Sequence, residues 1–205
     1  MNLPNRLSLL RIILIPVTLL FMLPISVYGF EPEGWNAFVA DKGMIIAAIV
    51  FIIASLTDML DGKIARKYNL ITNLGKFLDS LADKMLVIAV LIAFVSLGRV
   101  SAWLLAIIIL REFMVTGIRM MAAKEGVVMA AKMIGKIKTV TQMIAIIWLL
   151  FEPAILTIAG MNHVYPLEIS AVTIIGDVLV VICVAMTVIS GMDYLLKNLD
   201  YLKEK

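Results

Sequence analysis

Four aspartates in the first half of the chain form two closely spaced pairs. Asp58 and Asp61 are three positions apart, and Asp79 and Asp83 are four positions apart. At either spacing, two residues of an α-helix share one face. Two carboxylates about 4 Å apart repel each other by roughly 4 kcal/mol at an effective dielectric constant of about 20. Protons or cations must therefore neutralise each pair.

The donor atoms of this group indicate which cations it would accept. Carboxylate oxygens suit Mg²⁺, Mn²⁺ or Ca²⁺ and do not suit zinc. Four carboxylates could hold two divalent ions about 3.5–4 Å apart, an arrangement that serves phosphoryl chemistry. The small residues Gly62, Ala65 and Gly75 lie near the aspartates in sequence and would leave room for a pyrophosphate. Close packing of helices in a membrane would also explain the same small residues.

The composition predicts the elements that must position these groups. Of 205 residues, 62% are hydrophobic and 16% are charged, whereas the apolar share of a soluble domain is about 45–50%. A helix of about 20 apolar residues crosses a bilayer, and six such helices with short loops account for the whole chain. An open strand edge cannot face lipid, so we predict an all-α, polytopic membrane protein. The single Cys excludes a disulfide framework and a Cys-based zinc site.

Six helices and one short segment make up this prediction. Helices are predicted at 7–28, 43–67, 76–97, 101–123, 135–159 and 171–196, with a short interfacial segment before the first of them. The stretch from Arg66 to Gly75 is predicted to be a tight turn between two antiparallel helices, which brings the four aspartates together. We expect residues 1–205 to form one membrane domain. The chain contains no convincing internal repeat, so a transporter built from repeats is not favoured.

Lysine and arginine are distributed unevenly between alternate loops. If the amino terminus is cytoplasmic, only Lys42 and Arg99 lie outside, and the other 16 of the 18 lie inside. This asymmetry predicts that both termini and the aspartates face the cytoplasm. It also explains the net charge of +3 without nucleic acid. The inside residues are Arg6, Arg11, Lys63, Arg66, Lys67, Lys76, Lys84, Arg111, Arg119, Lys124, Lys132, Lys136, Lys138, Lys197, Lys203 and Lys205.

A second group of candidate residues is basic. Arg111 and Arg119 are eight positions apart, about 80° around a helix, so both can face one cavity. Glu112 would point about 100° away from Arg111, and a buried arginine in an apolar span requires an anion. Lys136 and Lys138 add positive charge at the same membrane face. We therefore expect these four basic side chains to bind the phosphate group of a ligand.

The aspartate pairs belong to a longer pattern of fixed positions. The pattern is Asp58-x2-Asp61-Gly62-x2-Ala65-Arg66-x8-Gly75-x3-Asp79-x3-Asp83. It matches the signature of the CDP-alcohol phosphotransferase family at every fixed position, so the chain resembles that family. The resemblance implies a six-helix membrane enzyme, expected to be a homodimer. Such an enzyme transfers a substituted phosphate from a CDP-linked lipid to an alcohol and releases CMP.

The resemblance also implies a role for each position of the pattern. Asp83 would lie near the metal ions, Mg²⁺ or Mn²⁺, and act as the base. The residues implied as ligands of the two ions are Asp58, Asp61, Asp79 and Asp83. The residues implied in binding the CDP-linked lipid are Asp58, Asp61, Gly62, Ala65, Arg66 and Gly75.

Three further segments narrow the expected acceptor. The opening segment 2–11, the Arg-Glu-Phe-x2-Thr-Gly-x-Arg segment at 111–119 and the Gly-Lys-x-Lys-Thr segment at 135–139 look like the bacterial phosphatidylglycerophosphate synthases of that family. This resemblance implies CDP-diacylglycerol and sn-glycerol 3-phosphate as substrates in a bacterial cytoplasmic membrane. Inositol phosphate, which also carries a phosphate, is an alternative acceptor. A cation transporter that uses the aspartates as its ion site is an alternative of another class, although it would place the carboxylates near the bilayer midplane.

Overall fold

Residues 3–67, 73–124 and 133–197 are described by a computed structural model of the protein. In these ranges the chain forms helices and no named strand, so the predicted all-α class is confirmed. The helices are α1 Leu3–Met22, α2 Glu33–Phe38, α3 Met44–Lys67, α4 Asn73–Ser96, α5 Ala102–Lys124, α6 Met133–Ile158 and α7 Ala171–Leu196. Residues 39–43 form a π-helical turn that joins α2 to α3.

The six long helices correspond to the six predicted ones. The largest difference is in α1, which ends at Met22 and not at residue 28. Leu23 precedes Pro24, and steric contact with a proline ring disfavours helical backbone in the residue before it. The segment predicted to precede the first span is continuous with α1, because the helix begins at Leu3. The short helix α2 follows Pro32 and was not predicted, since six residues are too few to show a helical period.

Four stretches of the described residues are long and apolar enough to cross a membrane. They are Asn5–Met22, Glu33–Thr57, Met133–Ile158 and Ala171–Leu196. Helices α4 and α5 are 24 and 23 residues long, which is enough to cross a membrane. They are not among these four stretches because they contain charged residues of the two candidate sites. Many large apolar side chains on the long helices are exposed, as expected for surfaces that contact lipid.

The chain divides into two compact units, of which the first comprises residues 1–99 and 150–168. In this unit α1 packs against α3 and α4, and α3 contacts α4. Phe51 and Phe94 are fully buried in its core. Gly43 lies directly against the carbonyl group of Phe21, where any side chain would collide.

A buried ion pair joins two parts of the first unit. The guanidinium of Arg99 donates from Nε to Oε2 of Glu152 at 2.7 Å and from Nη2 to Oε1 at 2.8 Å. The two side chains are 9% and 0% exposed. Tyr165 lies in the loop after α6, where burial and then the Glu152 carboxylate raise the pKa of its phenol. The phenol is therefore neutral beside this pair.

The second unit comprises residues 100–149 and 169–205. Helix α5 packs against α7, and Val115, Ile118 and Tyr194 form a small core between these helices. Ser170 caps the amino end of α7, because its side chain accepts a hydrogen bond from the backbone N–H of Thr173. The predicted acidic group therefore belongs to the first unit and the predicted basic group to the second.

Candidate active site

The aspartate pattern occupies the end of α3 and the beginning of α4. Helix α3 continues to Lys67 without a break, so Asp58 and Asp61 keep their helical spacing. The predicted turn lies largely outside the described residues, which resume at Asn73. The side chains of Asp58, Asp61, Ala65 and Arg66, and the surroundings of Gly62, also lie outside the described part. The convergence of all four carboxylates therefore stays a prediction.

The two aspartates of α4 are described. Asp79 and Asp83 are one helical turn apart and half-buried, and Gly75 lies in the first turn of the same helix. No group of three or more potential metal-ligating side chains is found among the described residues, which include only these two of the four aspartates. Two half-buried carboxylates on one helix face provide an all-oxygen donor set that fits Mg²⁺ or Mn²⁺.

A buried arginine of α1 contacts this acidic group, and its role was not predicted. The side chain of Arg11 is 1% exposed, and its Nη1 lies 3.4 Å from Oδ1 of Asp79, which is 48% exposed. Asn5 and Ser8, at intervals of three residues before Arg11, are also buried. Spacing of three places these polar side chains along one side of α1. The sequence did contain an indication of this contact: Arg11 lies inside a long apolar helix, where a charged side chain requires a partner.

The basic group of the second unit is organised around one carboxylate. Oε1 of Glu112 lies 3.2 Å from Nη1 of Arg111 and also accepts a hydrogen bond from Nζ of Lys138. The three side chains are between 6% and 14% exposed. Nη2 of Arg111 donates to Oγ of Ser190 on α7 at 2.7 Å. We call Arg111, Glu112, Lys138 and Ser190 the basic cluster.

The expectation that Glu112 would point away from Arg111 was wrong. Their Cα positions do differ by about 100° around the helix, but the long side chains of Arg111 and Glu112 bend toward each other and meet at 3.2 Å. The anion that Arg111 requires is therefore partly supplied within α5. Among the described contacts two cations share this carboxylate, so the four residues of the basic cluster together have a net charge of +1.

Buried hydrogen-bond donors accompany this positive charge. Nε of Arg111 is buried and has no hydrogen-bond partner among the described residues. The same is true in this part of the chain for Nε2 of Gln142, which lies one turn after Lys138 on α6. Leaving a buried donor unpaired costs about 1–3 kcal/mol. An anion with several oxygens would satisfy both the charge and such donors.

The two remaining basic candidates lie on more exposed surfaces. Arg119 is exposed, and its guanidinium carbon lies 5.4 Å from the ring centroid of Tyr194, within the range of a cation–π contact. Ser190 and Tyr194 are one turn apart on α7, so Arg111 and Arg119 both face that helix. Lys136 is exposed and Lys138 is buried, because residues two apart lie on different sides of a helix. The structure therefore brings Arg111 and Lys138 together and places Lys136 on an exposed surface of α6.

Comparison with known proteins gives consistent matches over most of the chain. The sequence model of the CDP-alcohol phosphatidyltransferase family matches residues 1–189. A Bacillus subtilis (strain 168) protein named CDP-diacylglycerol–glycerol-3-phosphate 3-phosphatidyltransferase is 44% identical over 207 residues, covering 98% of this chain and 97% of that protein. Proteins of the same name from Rickettsia bellii and Escherichia coli K12 are 35% and 38% identical, over 94% and 75% of this chain and 93% and 79% of their own lengths.

Proposed function

Because the chain belongs to the CDP-alcohol phosphatidyltransferase family, we propose that it transfers a phosphatidyl group from CDP-diacylglycerol to sn-glycerol 3-phosphate. The products are phosphatidylglycerol phosphate and CMP. The names of relatives that match nearly the whole chain support this reaction. The aspartate pattern of α3 and α4 supports the nucleotide-linked donor.

The basic cluster is the observation that carries the assignment of the acceptor. Arg111 and Lys138 are largely buried, and the cluster retains a net charge of +1 after Glu112 is counted. A phosphate monoester would neutralise this surplus and accept hydrogen bonds from buried donors. Glycerol 3-phosphate carries such a phosphate, whereas serine and choline do not. The residues proposed to bind it are Arg111, Arg119, Lys136 and Lys138.

The donor site is proposed to require divalent ions. Asp58, Asp61, Asp79 and Asp83 would hold two Mg²⁺ or Mn²⁺ ions, which when bound neutralise phosphate oxygens and the departing CMP. Two described features fit this role: Asp79 and Asp83 are one turn apart and half-buried, so their oxygens are accessible to a ligand. The residues proposed to bind the CDP-linked lipid are Asp58, Asp61, Gly62, Ala65, Arg66 and Gly75.

The side chains would then promote an in-line displacement. Arg111 and the other basic residues hold the acceptor by its phosphate, which lowers the entropy cost of bringing its hydroxyl to the donor. The carboxylate of Asp83 accepts the proton of the 1-hydroxyl. The hydroxyl oxygen attacks the phosphorus of the phosphatidyl group, and the bond from that phosphorus to the oxygen of CMP breaks.

The proposed setting is a bacterial cytoplasmic membrane. Six long helices of a single domain cross the bilayer, the first turns of α1 lie at the interface, and both termini and the substrate sites face the cytoplasm. The distribution of lysine and arginine supports this orientation. Lys42 and Arg99 lie just beyond the ends of α3 and α4 that are remote from the aspartates. The enzyme is proposed to act as a homodimer surrounded by membrane lipids.

Asp83→Asn tests the role of the base. The amide has nearly the same shape as the carboxylate but cannot accept the hydroxyl proton, so CMP release should fall by a factor of about 10² to 10⁴. Binding of CDP-diacylglycerol should be largely retained. The assay measures CMP release by the purified protein with Mg²⁺ and glycerol 3-phosphate. Asp41→Asn, at an exposed aspartate of the first unit, is the control; normal turnover by Asp83→Asn would contradict the assignment.

An acceptor screen tests the substrate. Glycerol 3-phosphate should support metal-dependent CMP release, and glycerol, which lacks the phosphate, should not. Preference for inositol phosphate would replace the proposed acceptor with that compound. No metal-dependent CMP release with any acceptor would contradict the transferase reaction and favour the cation-transporter alternative.

A further inference from the structure

Ser190 of α7 fixes one side of the Arg111 guanidinium. Its Oγ accepts a hydrogen bond from Nη2 at 2.7 Å, and Ser190 is 5% exposed, so water competes little for this hydroxyl. The other terminal nitrogen, Nη1, lies against Glu112. Two different groups therefore hold the two terminal nitrogens, and together they set the plane of the guanidinium.

Gly191, the next residue of α7, leaves space for the aliphatic part of the Arg111 side chain. A Cβ atom at Gly191 would lie 2.8 Å from Cγ of Arg111 and 3.5 Å from Cε of Met114. Cγ is near the backbone of Arg111 and cannot move aside as the tip of a side chain can. Gly117 on α5 and Gly135 on α6 differ from Gly191, because a Cβ atom there would meet nothing within 4 Å.

We propose that Ser190 and Gly191 form a seat on α7 that positions Arg111 to bind the phosphate of the acceptor. They are positioning residues, since they act through Arg111. The inference rests on the proposed function of Arg111 and extends it, because it assigns to α7 a part in acceptor binding. Neither residue carries a charge or stands at a motif spacing, so the sequence alone gives no indication of this role.

Ser190→Ala and Gly191→Ala test the seat. Loss of a hydrogen bond to a charged group should raise the KM for glycerol 3-phosphate about tenfold. The stem displacement in Gly191→Ala should raise it at least as much. The KM for CDP-diacylglycerol should stay within about twofold of the unmodified protein, because binding of the acceptor alone is weakened.

Matched controls separate this effect from general damage to the helices. Thr187→Val removes a hydroxyl of α7 whose described hydrogen bonds, to the carbonyl group and the thiol of Cys183, stay within its own helix. Gly34→Ala adds a methyl group in open space to the short helix α2 of the first unit. Both should leave the KM for glycerol 3-phosphate unchanged. Equal changes in the controls and in the seat variants would overturn the inference.

A double-mutant cycle tests whether Ser190 acts through Arg111. If it does, Ser190→Ala should have no further effect on the KM for glycerol 3-phosphate once Arg111→Ala is present. Full additivity of the two substitutions would overturn the inference. Ser190→Ala decides the matter if Gly191→Ala fails to fold.

A binding measurement separates this inference from the proposed function. Inorganic phosphate should raise the melting temperature of the purified protein in detergent, and this rise should be lost in Ser190→Ala and retained in Thr187→Val. If the unmodified protein shows this pattern but releases no CMP with glycerol 3-phosphate, the proposed function fails and the seat stands. If the protein is active and Ser190→Ala matches the unmodified protein in both assays, the seat fails and the proposed function stands.

Discussion

Each of the two compact units buries an arginine beside a glutamate, but the two ion clusters are constructed differently. In the first unit, Arg99 and Glu152 use two nitrogens and two oxygens in parallel bonds of 2.7 and 2.8 Å. In the second unit, Oε1 of Glu112 contacts both Arg111 and Lys138. The first cluster is electrically neutral, whereas the second has a net charge of +1.

This difference distinguishes an ion cluster that stabilises the fold from one suited to a ligand. A bidentate pair satisfies both partners, so the Arg99–Glu152 pair has little capacity for another anion. A carboxylate shared by two cations leaves charge unbalanced, and unbalanced charge is costly in a dry site. A bound phosphate would remove that cost. Three substitutions test this difference between the two clusters, and they follow from the largest expected effect to the smallest.

Glu152→Gln should have the largest effect on stability. It leaves Arg99 buried without its counter-charge, and breaking a buried ion pair lowers the free energy of unfolding by about 3–5 kcal/mol. Thermal unfolding in detergent measures this loss. The KM for glycerol 3-phosphate should not change in the protein that remains folded. Asp41→Asn, at an exposed carboxylate 3.9 Å from Lys42, should change stability by less than about 1 kcal/mol. If Glu152→Gln lowers the free energy of unfolding no more than Asp41→Asn does, the structural role assigned to the Arg99–Glu152 pair is wrong.

Glu112→Gln should have an intermediate effect that phosphate reverses. Losing the shared charge leaves two cations together and should lower the free energy of unfolding by about 1–3 kcal/mol. Phosphate can then take the place of the carboxylate. At a concentration of about a hundred times its dissociation constant, it should raise the free energy of unfolding by about 2.7 kcal/mol. Melting temperatures measured with and without inorganic phosphate provide the test. Glu152→Gln is the comparison, because phosphate should not raise the melting temperature of that variant. An equal rise of the melting temperature in both variants would contradict the distinction between the clusters.

Arg119→Ala should have the smallest effect. Arg119 is exposed and held over the ring of Tyr194 at 5.4 Å, so its loss should weaken acceptor binding by about 1 kcal/mol, or about fivefold in the KM for glycerol 3-phosphate. The KM for CDP-diacylglycerol should change less. Tyr194→Phe keeps the aromatic ring and should leave both values unchanged. Equal increases of both KM values in Arg119→Ala would exclude Arg119 from the acceptor site.

Local sequence predicts the helices of this protein well. The prediction of a helix at 171–196 agrees with α7, and that at 43–67 differs from α3 by one residue. Long apolar runs suffice for this result because backbone groups in lipid must form their hydrogen bonds within one helix. The largest errors lie next to two prolines: Pro24 follows the end of α1, and Pro32 precedes the short helix α2.

The candidate sites were predicted less completely than the helices. The spacing of Asp79 and Asp83 sufficed to place both on one face of α4. Arg111 was selected because a charge in an apolar helix requires a partner, and Lys138 because it adds positive charge at the same membrane face. Glu112 was assigned the wrong direction, since a helical angle describes the Cα position and not the end of a long side chain. Arg11 was used as a topological charge and as a position of the opening segment, and its contact with Asp79 was not predicted.

By itself the sequence determined the helical class, the positions of the long helices and the helical spacing within each aspartate pair, because each depends on residues that are close together in the chain. Only the tertiary structure decided the partners of the buried charges. Arg11 and Asp79 are 68 positions apart, and Arg111 and Ser190 are 79 positions apart. Which face of a helix meets its neighbour is not visible in a chain whose lipid-facing residues are as apolar as its core. The pairing of Arg111 with Ser190 and Gly191 therefore depends on how α5 packs against α7.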